Sequence, residues 1–177
     1  MTTRRTFLVA GIAGGAALAA AWWLREQRAD RPIAAAGTPL AGLDPDAQAI
    51  MTAIVPALLD GALPADPPAR AAAIQETLGA VGLAIDGLPP AARHELAQLF
   101  ALLGFAPARV ALARVNSPWA DASPAEVAGF LDRWRDSGWK LQRSAYDALH
   151  QLVFAAWYAN PRSWPAIGYE GPPVLAS

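Results

Sequence analysis

Apolar residues recur at three- and four-residue intervals along most of the chain, and no run alternates with period two under β-branched residues for long enough to make a strand. Asp44-Pro45 places a capping carboxylate ahead of a proline at a first helical position, and Ile50, Ile54, Ala57 and Leu58 then share one face. Pro56 falls late in that segment and predicts a kink or a break nearby. Asp66-Pro67-Pro68 repeats the start signal, and Ile74, Leu78, Val81 and Ile85 form the next stripe before Gly87 and Pro89-Pro90. A third helix is predicted from about Ala91, with Leu96, Leu99, Phe100 and Leu103 inward, Gly104 as its stop and a short segment, Pro107 to Val115, beyond it. Ser123-Pro124-Ala125-Glu126 reads as a capping box opening a helix whose apolar face is Val127, Phe130, Leu131 and Trp134 and whose end is Gly138. Leu141, Ala145, Leu149, Leu152, Val153, Ala156 and Trp157 carry a long final helix. Amphipathic faces joined by short Pro/Gly loops predict an all-α chain, a compact bundle of about five helices over residues 37–159. An N-terminal signal or anchor helix and linker are expected within residues 1–36, and an extended, aromatic and proline-rich tail over residues 160–177.

Composition narrows the chemistry more than the fold. Hydrophobic residues make up 54% of the 177 positions and charged residues 16%, enough for a packed core, and the 16 prolines and 14 glycines fall mostly between the apolar stripes instead of forming a tract. The formal net charge is −1, and no window gathers enough Lys and Arg to face nucleic-acid phosphates or to form a polybasic membrane patch. The absence of cysteine excludes disulfides, thiolate nucleophiles, iron–sulfur clusters, Cys-based zinc sites and CxxCH haem attachment. His94 and His150 are the two histidines, too few for a zinc site, so no metal ligands are assigned. No glycine pattern follows a strand, which leaves no dinucleotide fold or phosphate loop and no cofactor-binding residue.

The remaining polar groups are assigned structural work. Ser137-Gly-Trp-Lys140 matches S-x-x-K, a serine one turn from a lysine, but the serine sits where a helix should end and the companion motifs are missing. Asp132, Arg133, Arg135 and Asp136 place opposite charges at helical spacing and predict a solvated, ion-paired face. His94 beside Glu95 reads as first-turn polarity, and His150 as a hydrogen-bonded structural residue of the final helix. No catalytic residue is assigned.

The N-terminus carries a different signal. Thr3-Arg4-Arg5-Thr6-Phe7-Leu8 matches the twin-arginine export pattern, with Arg4, Arg5, Phe7 and Leu8 as its informative positions, and Phe7 to Leu24 is uncharged and rich in Gly and Ala. The expected location is the periplasm, reached through the twin-arginine translocase. Cleavage at Ala34-Ala35-Ala36 or at Ala17-Leu18-Ala19 is one outcome. The other is an uncleaved membrane anchor over residues 7–24, flanked by Trp22-Trp23, Arg25 and Arg28.

The C-terminal stretch is unusual for a tail. Its prolines and glycines argue against a helix, yet Trp157, Tyr158, Trp164, Ile167 and Tyr169 are large apolar groups that either fold back on the chain's own core or fill pockets on a partner. Ala156-Trp157-Tyr158, Asn160-Pro161, Trp164, Ile167-Gly168-Tyr169 and Gly171-Pro172 together resemble the C-terminal signature of the gluconate 2-dehydrogenase subunit 3 family, the small subunits of bacterial periplasmic flavin dehydrogenases. The resemblance is specific over about Leu149 to Pro173, and the twin-arginine leader is similar to the family pattern. It implies a larger glucose–methanol–choline-type flavoprotein as partner, oxidising an alcohol, sugar or sugar acid and passing electrons to a cytochrome c. It further implies that FAD resides on that partner, and that the small subunit is a non-catalytic accessory supplying the export signal and a docking surface. Read without the resemblance, the same residues also suit a membrane-anchored helical scaffold unrelated to redox enzymes.

Overall fold

The computed structural model describes residues 40–170, and all regular structure among them is helical. Five long helices, α1 (Pro45–Leu58), α2 (Pro67–Asp86), α3 (Pro90–Gly104), α4 (Pro124–Arg135) and α5 (Lys140–Tyr158), carry the fold. A helical turn (Ala106–Ala108), a π-helical turn (Arg109–Ala113) and a 3-10 turn (Trp119–Asp121) connect α3 to α4. The leader, including Arg4, Arg5, Phe7 and Leu8, and residues 171–177 lie outside the described residues.

Local chemistry sets most helix starts. The Asp44 carboxylate accepts the Ala47 N–H at 2.8 Å and the Asp66 carboxylate accepts the Ala69 N–H at 3.0 Å, each ahead of a proline that needs no N–H partner there. At α4 the box closes in both directions: Ser123 Oγ accepts the Glu126 N–H at 3.3 Å while the Glu126 carboxylate accepts the Ser123 N–H at 3.1 Å. Glu126 also accepts from the Asn116 N–H and the Ser117 hydroxyl, so one side chain both starts α4 and ties down the loop before it. Pro56 lies inside α1, where its missing N–H leaves the Thr52 carbonyl without that helical bond, and the helix ends two residues later at Leu58.

The core forms around α1, which packs against each of the other four long helices while α5 also packs on α2 and α4. Ile50, Met51, Ile54 and Val55 of α1 have no accessible surface. Burying an aliphatic side chain of this size contributes roughly 1.5–3 kcal/mol, so this one turn and a half is a large share of the core's driving force. Leu78, Val81 and Ile85, Phe100 and Leu103, Val127, Phe130, Leu131 and Trp134, and Leu149, Val153 and Ala156 are buried against it, as their spacing predicts. Ile74, Leu96, Leu99, Ala145 and Leu152 are half-buried at its margin. Leu141 is 78% exposed and does not belong to the core. The helical stripe continues to it, but it sits in the first turn of α5, one turn before the half-buried Ala145.

The α3–α4 connection is held by side chains as well as by its own backbone turns. The π-helical turn closes on Arg114, whose φ of 53° is left-handed, and such an end leaves carbonyls without helical partners. The indole N–H of Trp119 donates to Leu103 O at 2.9 Å, that of Trp134 to Leu112 O at 3.1 Å, and the Arg133 guanidinium to Ala113 O at 2.7 Å. The predicted ion-paired face on α4 is therefore only partly one. Arg135 bridges Asp132 at 3.0 Å and Asp136 at 3.1 Å, whereas Arg133 leaves that face to cap the π-turn.

Candidate functional site

Ser137 starts α5. Its hydroxyl donates to Gln142 Oε1 and accepts the Trp139 N–H at 3.0 Å, and its carbonyl receives Arg143, so the oxygen is engaged in a helix-start turn. Lys140, three residues on and the first residue of α5, is exposed. His94 pairs with Gln98 along α3 at 2.9 Å. His150 is held by ring contacts, lying flat on Phe154 at 4.2 Å with Tyr146 on its other side at 5.7 Å, where a hydrogen bond was expected. Among the described residues no group of three or more His, Asp or Glu converges as metal ligands, and no single helix is long and apolar enough to cross a membrane.

The aromatic C-terminal residues divide into two sets. Trp157 is 8% exposed and belongs to the chain's own core, because α5 turns it toward the bundle with Val153 and Ala156. Tyr158, 40% exposed, is on the outer face, next in a row of rings that runs Tyr146, His150, Phe154, Tyr158 at four-residue spacing. Beyond it the chain is not extended: Pro161–Ile167 is a 3-10 helix. The prolines permit this because Pro161 occupies the first helical position, where its missing N–H costs nothing. Asn160 O accepts both the Ser163 N–H at 3.0 Å and the Ser163 hydroxyl at 2.8 Å, and Ser163 is buried.

The segment ends by a specific device. Gly168 has φ of 68°, and the Tyr169 N–H returns to Trp164 O at 3.1 Å, five residues back. A left-handed glycine with that bond is the Schellman way to stop a helix, and it brings the residue after the glycine against the one four positions before it. Those two residues are Tyr169 and Trp164, whose rings meet edge to face with centroids 5.2 Å apart. The Trp164 indole N–H reaches back to Tyr158 O at 2.9 Å, seating the pair on the last turn of α5. Tyr169 remains 46% exposed. Of the five residues assigned to docking, Tyr158, Trp164 and Tyr169 are thus brought together at one end of α5, Trp157 is turned inward, and Ile167 has no described side chain.

Glu76 escaped sequence reading. Its carboxylate, on α2, accepts Asn160 Nδ2 at 3.0 Å and the Arg162 guanidinium at 2.7 Å, clamping the C-terminal segment across 84 residues of chain. Nothing local marks it.

No family profile matches the chain, and no curated protein or solved structure is significantly similar to it.

Proposed function

We propose that the chain is a non-catalytic small subunit of a periplasmic, flavin-dependent alcohol or sugar dehydrogenase. It carries the twin-arginine address for a catalytic flavoprotein that holds FAD, and it offers that partner a stabilising surface at the C-terminal end of α5. The observation that carries this reading is the Trp164–Gly168–Tyr169 closure. Tyr158, Trp164 and Tyr169 of the C-terminal signature form a defined aromatic surface that the core does not consume, with Tyr158 and Tyr169 left substantially exposed. Exposed Trp and Tyr on a rigid support favour protein association, since each buries a large area while little conformational freedom is lost. Electron transfer to a cytochrome c belongs to the assembled complex in this reading.

The test is export. Arg4→Lys together with Arg5→Lys keeps the charge and removes only recognition of the arginine pair. Both this chain and the flavoprotein should then remain in the cytoplasm. Periplasmic dehydrogenase activity at the wild-type level in that variant refutes the carrier role.

A further inference from the structure

Beside the aromatic pair lies a shallow, solvent-open cleft of about 530 Å3 lined by Pro161, Trp164, Gly168, Tyr169 and Glu170. The two ring planes stand at 69°, so they form walls of a corner and not one flat plate. Trp164 has already given its indole N–H to Tyr158 O, which leaves the corner its ring faces and removes its best donor for an anion. Ring faces carry the negative side of the aromatic quadrupole. Glu170 supplies the one formal charge in the lining, and the last turn of α5, the negative end of that helix, backs Trp164 through Tyr158 O. Three sources of the same sign meet there. Arg162, close in sequence, does not neutralise them, because Glu76 holds its guanidinium at 2.7 Å.

We propose that this corner receives an arginine side chain presented by the docked protein, an assignment that rests on reading this face as the docking face. A guanidinium lies flat on one ring while its N–H edge meets a carboxylate, a combination that an ammonium reproduces poorly. The cleft is open, so a free arginine amide binds it weakly, in the millimolar range, whereas a side chain on a docked protein brings its own surrounding surface and is held more tightly in the same corner.

The experiment follows the Trp164 indole and Tyr169 amide signals of the full-length chain in nitrogen–proton correlation spectra, with Trp164→Phe identifying the indole. The probes are N-acetyl-arginine methylamide and its neutral citrulline counterpart. Saturable shifts with the arginine probe and none with the citrulline probe are expected. Glu170→Gln should weaken the arginine response by about threefold to tenfold, the range of an exposed charged contact on an aromatic face. Tyr169→Leu, which keeps an apolar contact for the Schellman closure, should abolish it. An equal response to both probes, no response to arginine, or a response untouched by Glu170→Gln and Tyr169→Leu overturns the proposal. Co-purification of the flavoprotein without an arginine response refutes the arginine corner and keeps the subunit reading. An arginine response with no flavoprotein co-purifying does the reverse.

Discussion

Gly42 and Gly82 meet backbone to backbone: a Cβ on Gly42 would lie 2.2 Å from the carbonyl oxygen of Gly82, and a Cβ on Gly82 would lie 2.0 Å from Ala41 O. The turn that leads into α1 is thereby pressed onto α2 at a point where only hydrogen fits on either side. Gly82→Ala should destabilise the fold by about 1–3 kcal/mol despite alanine's better helix propensity, because backbone on both sides must shift. Gly79, three residues earlier on the same helix, has nothing within 4 Å of its missing Cβ. Gly79→Ala should therefore stabilise by about 0.5–1 kcal/mol. Thermal melting of the two variants should move in opposite directions.

The buried hydrogen bond from Trp119 to Leu103 O gives a second prediction. Trp119→Phe keeps most of the ring, which packs edge-on against Phe130 at 5.6 Å, but strands a carbonyl in the core. The expected loss is about 1–3 kcal/mol by denaturant unfolding, the usual cost of an unsatisfied buried acceptor. Trp139→Phe, at an exposed indole, should stay within about 0.5 kcal/mol of the wild type.

Acid should unfold the chain partly through Glu126. Backbone donation from Ser123, with further bonds from the Ser123 hydroxyl, the Asn116 N–H and the Ser117 hydroxyl, holds its carboxyl below the ordinary value of 4.5. The folded form then binds a proton less readily than the unfolded one. Its contribution is complete above the unfolded value and is lost as pH falls through the folded one. Glu126→Gln should flatten the decline of the melting midpoint below about pH 5 and lower the midpoint at neutral pH. A residual slope should remain from Asp136, whose carboxyl is lowered mainly by its hydrogen bond from Arg135.

The inward and outward aromatics of the C-terminus should separate by assay. Trp157→Ala should cost about 3–5 kcal/mol of stability, as truncation of a core aromatic does. Trp164→Ala with Tyr169→Ala should leave melting of the isolated chain close to wild type, while capture of the flavoprotein falls by about thirtyfold to a thousandfold. Lost melting with retained capture would make the pair a helix stop and nothing more.

Features carried within a few residues were legible in the sequence. The caps at Asp44, Asp66 and Ser123 and the apolar stripes needed only neighbours along the chain, and they stand where spacing placed them. Leu141 shows the limit of periodicity, which extends a stripe without knowing where packing begins. The partners of Arg133 and Glu76 could not be read, since each is fixed by chain folded back from 20 and 84 residues away. At the C-terminus the prolines suggested an extended tail because they remove donors. Pro161 at a first position and Gly168 at a left-handed stop frame a short 3-10 helix instead. The Trp-Gly-Tyr spacing was visible as a signature, and its physical cause, a helix closure that pairs two rings, was not.

The central place of α1 has a consequence for synthesis. The helix that every other long helix covers is the first of them to leave the ribosome, while α5, which completes its burial, begins at Lys140. At about 5–20 residues per second the nascent chain displays Ile50, Met51, Ile54 and Val55 for several seconds before their last neighbour exists. Chaperones that recognise short aliphatic runs have that interval in which to act, and chains released early, without α5, are the ones most prone to aggregate.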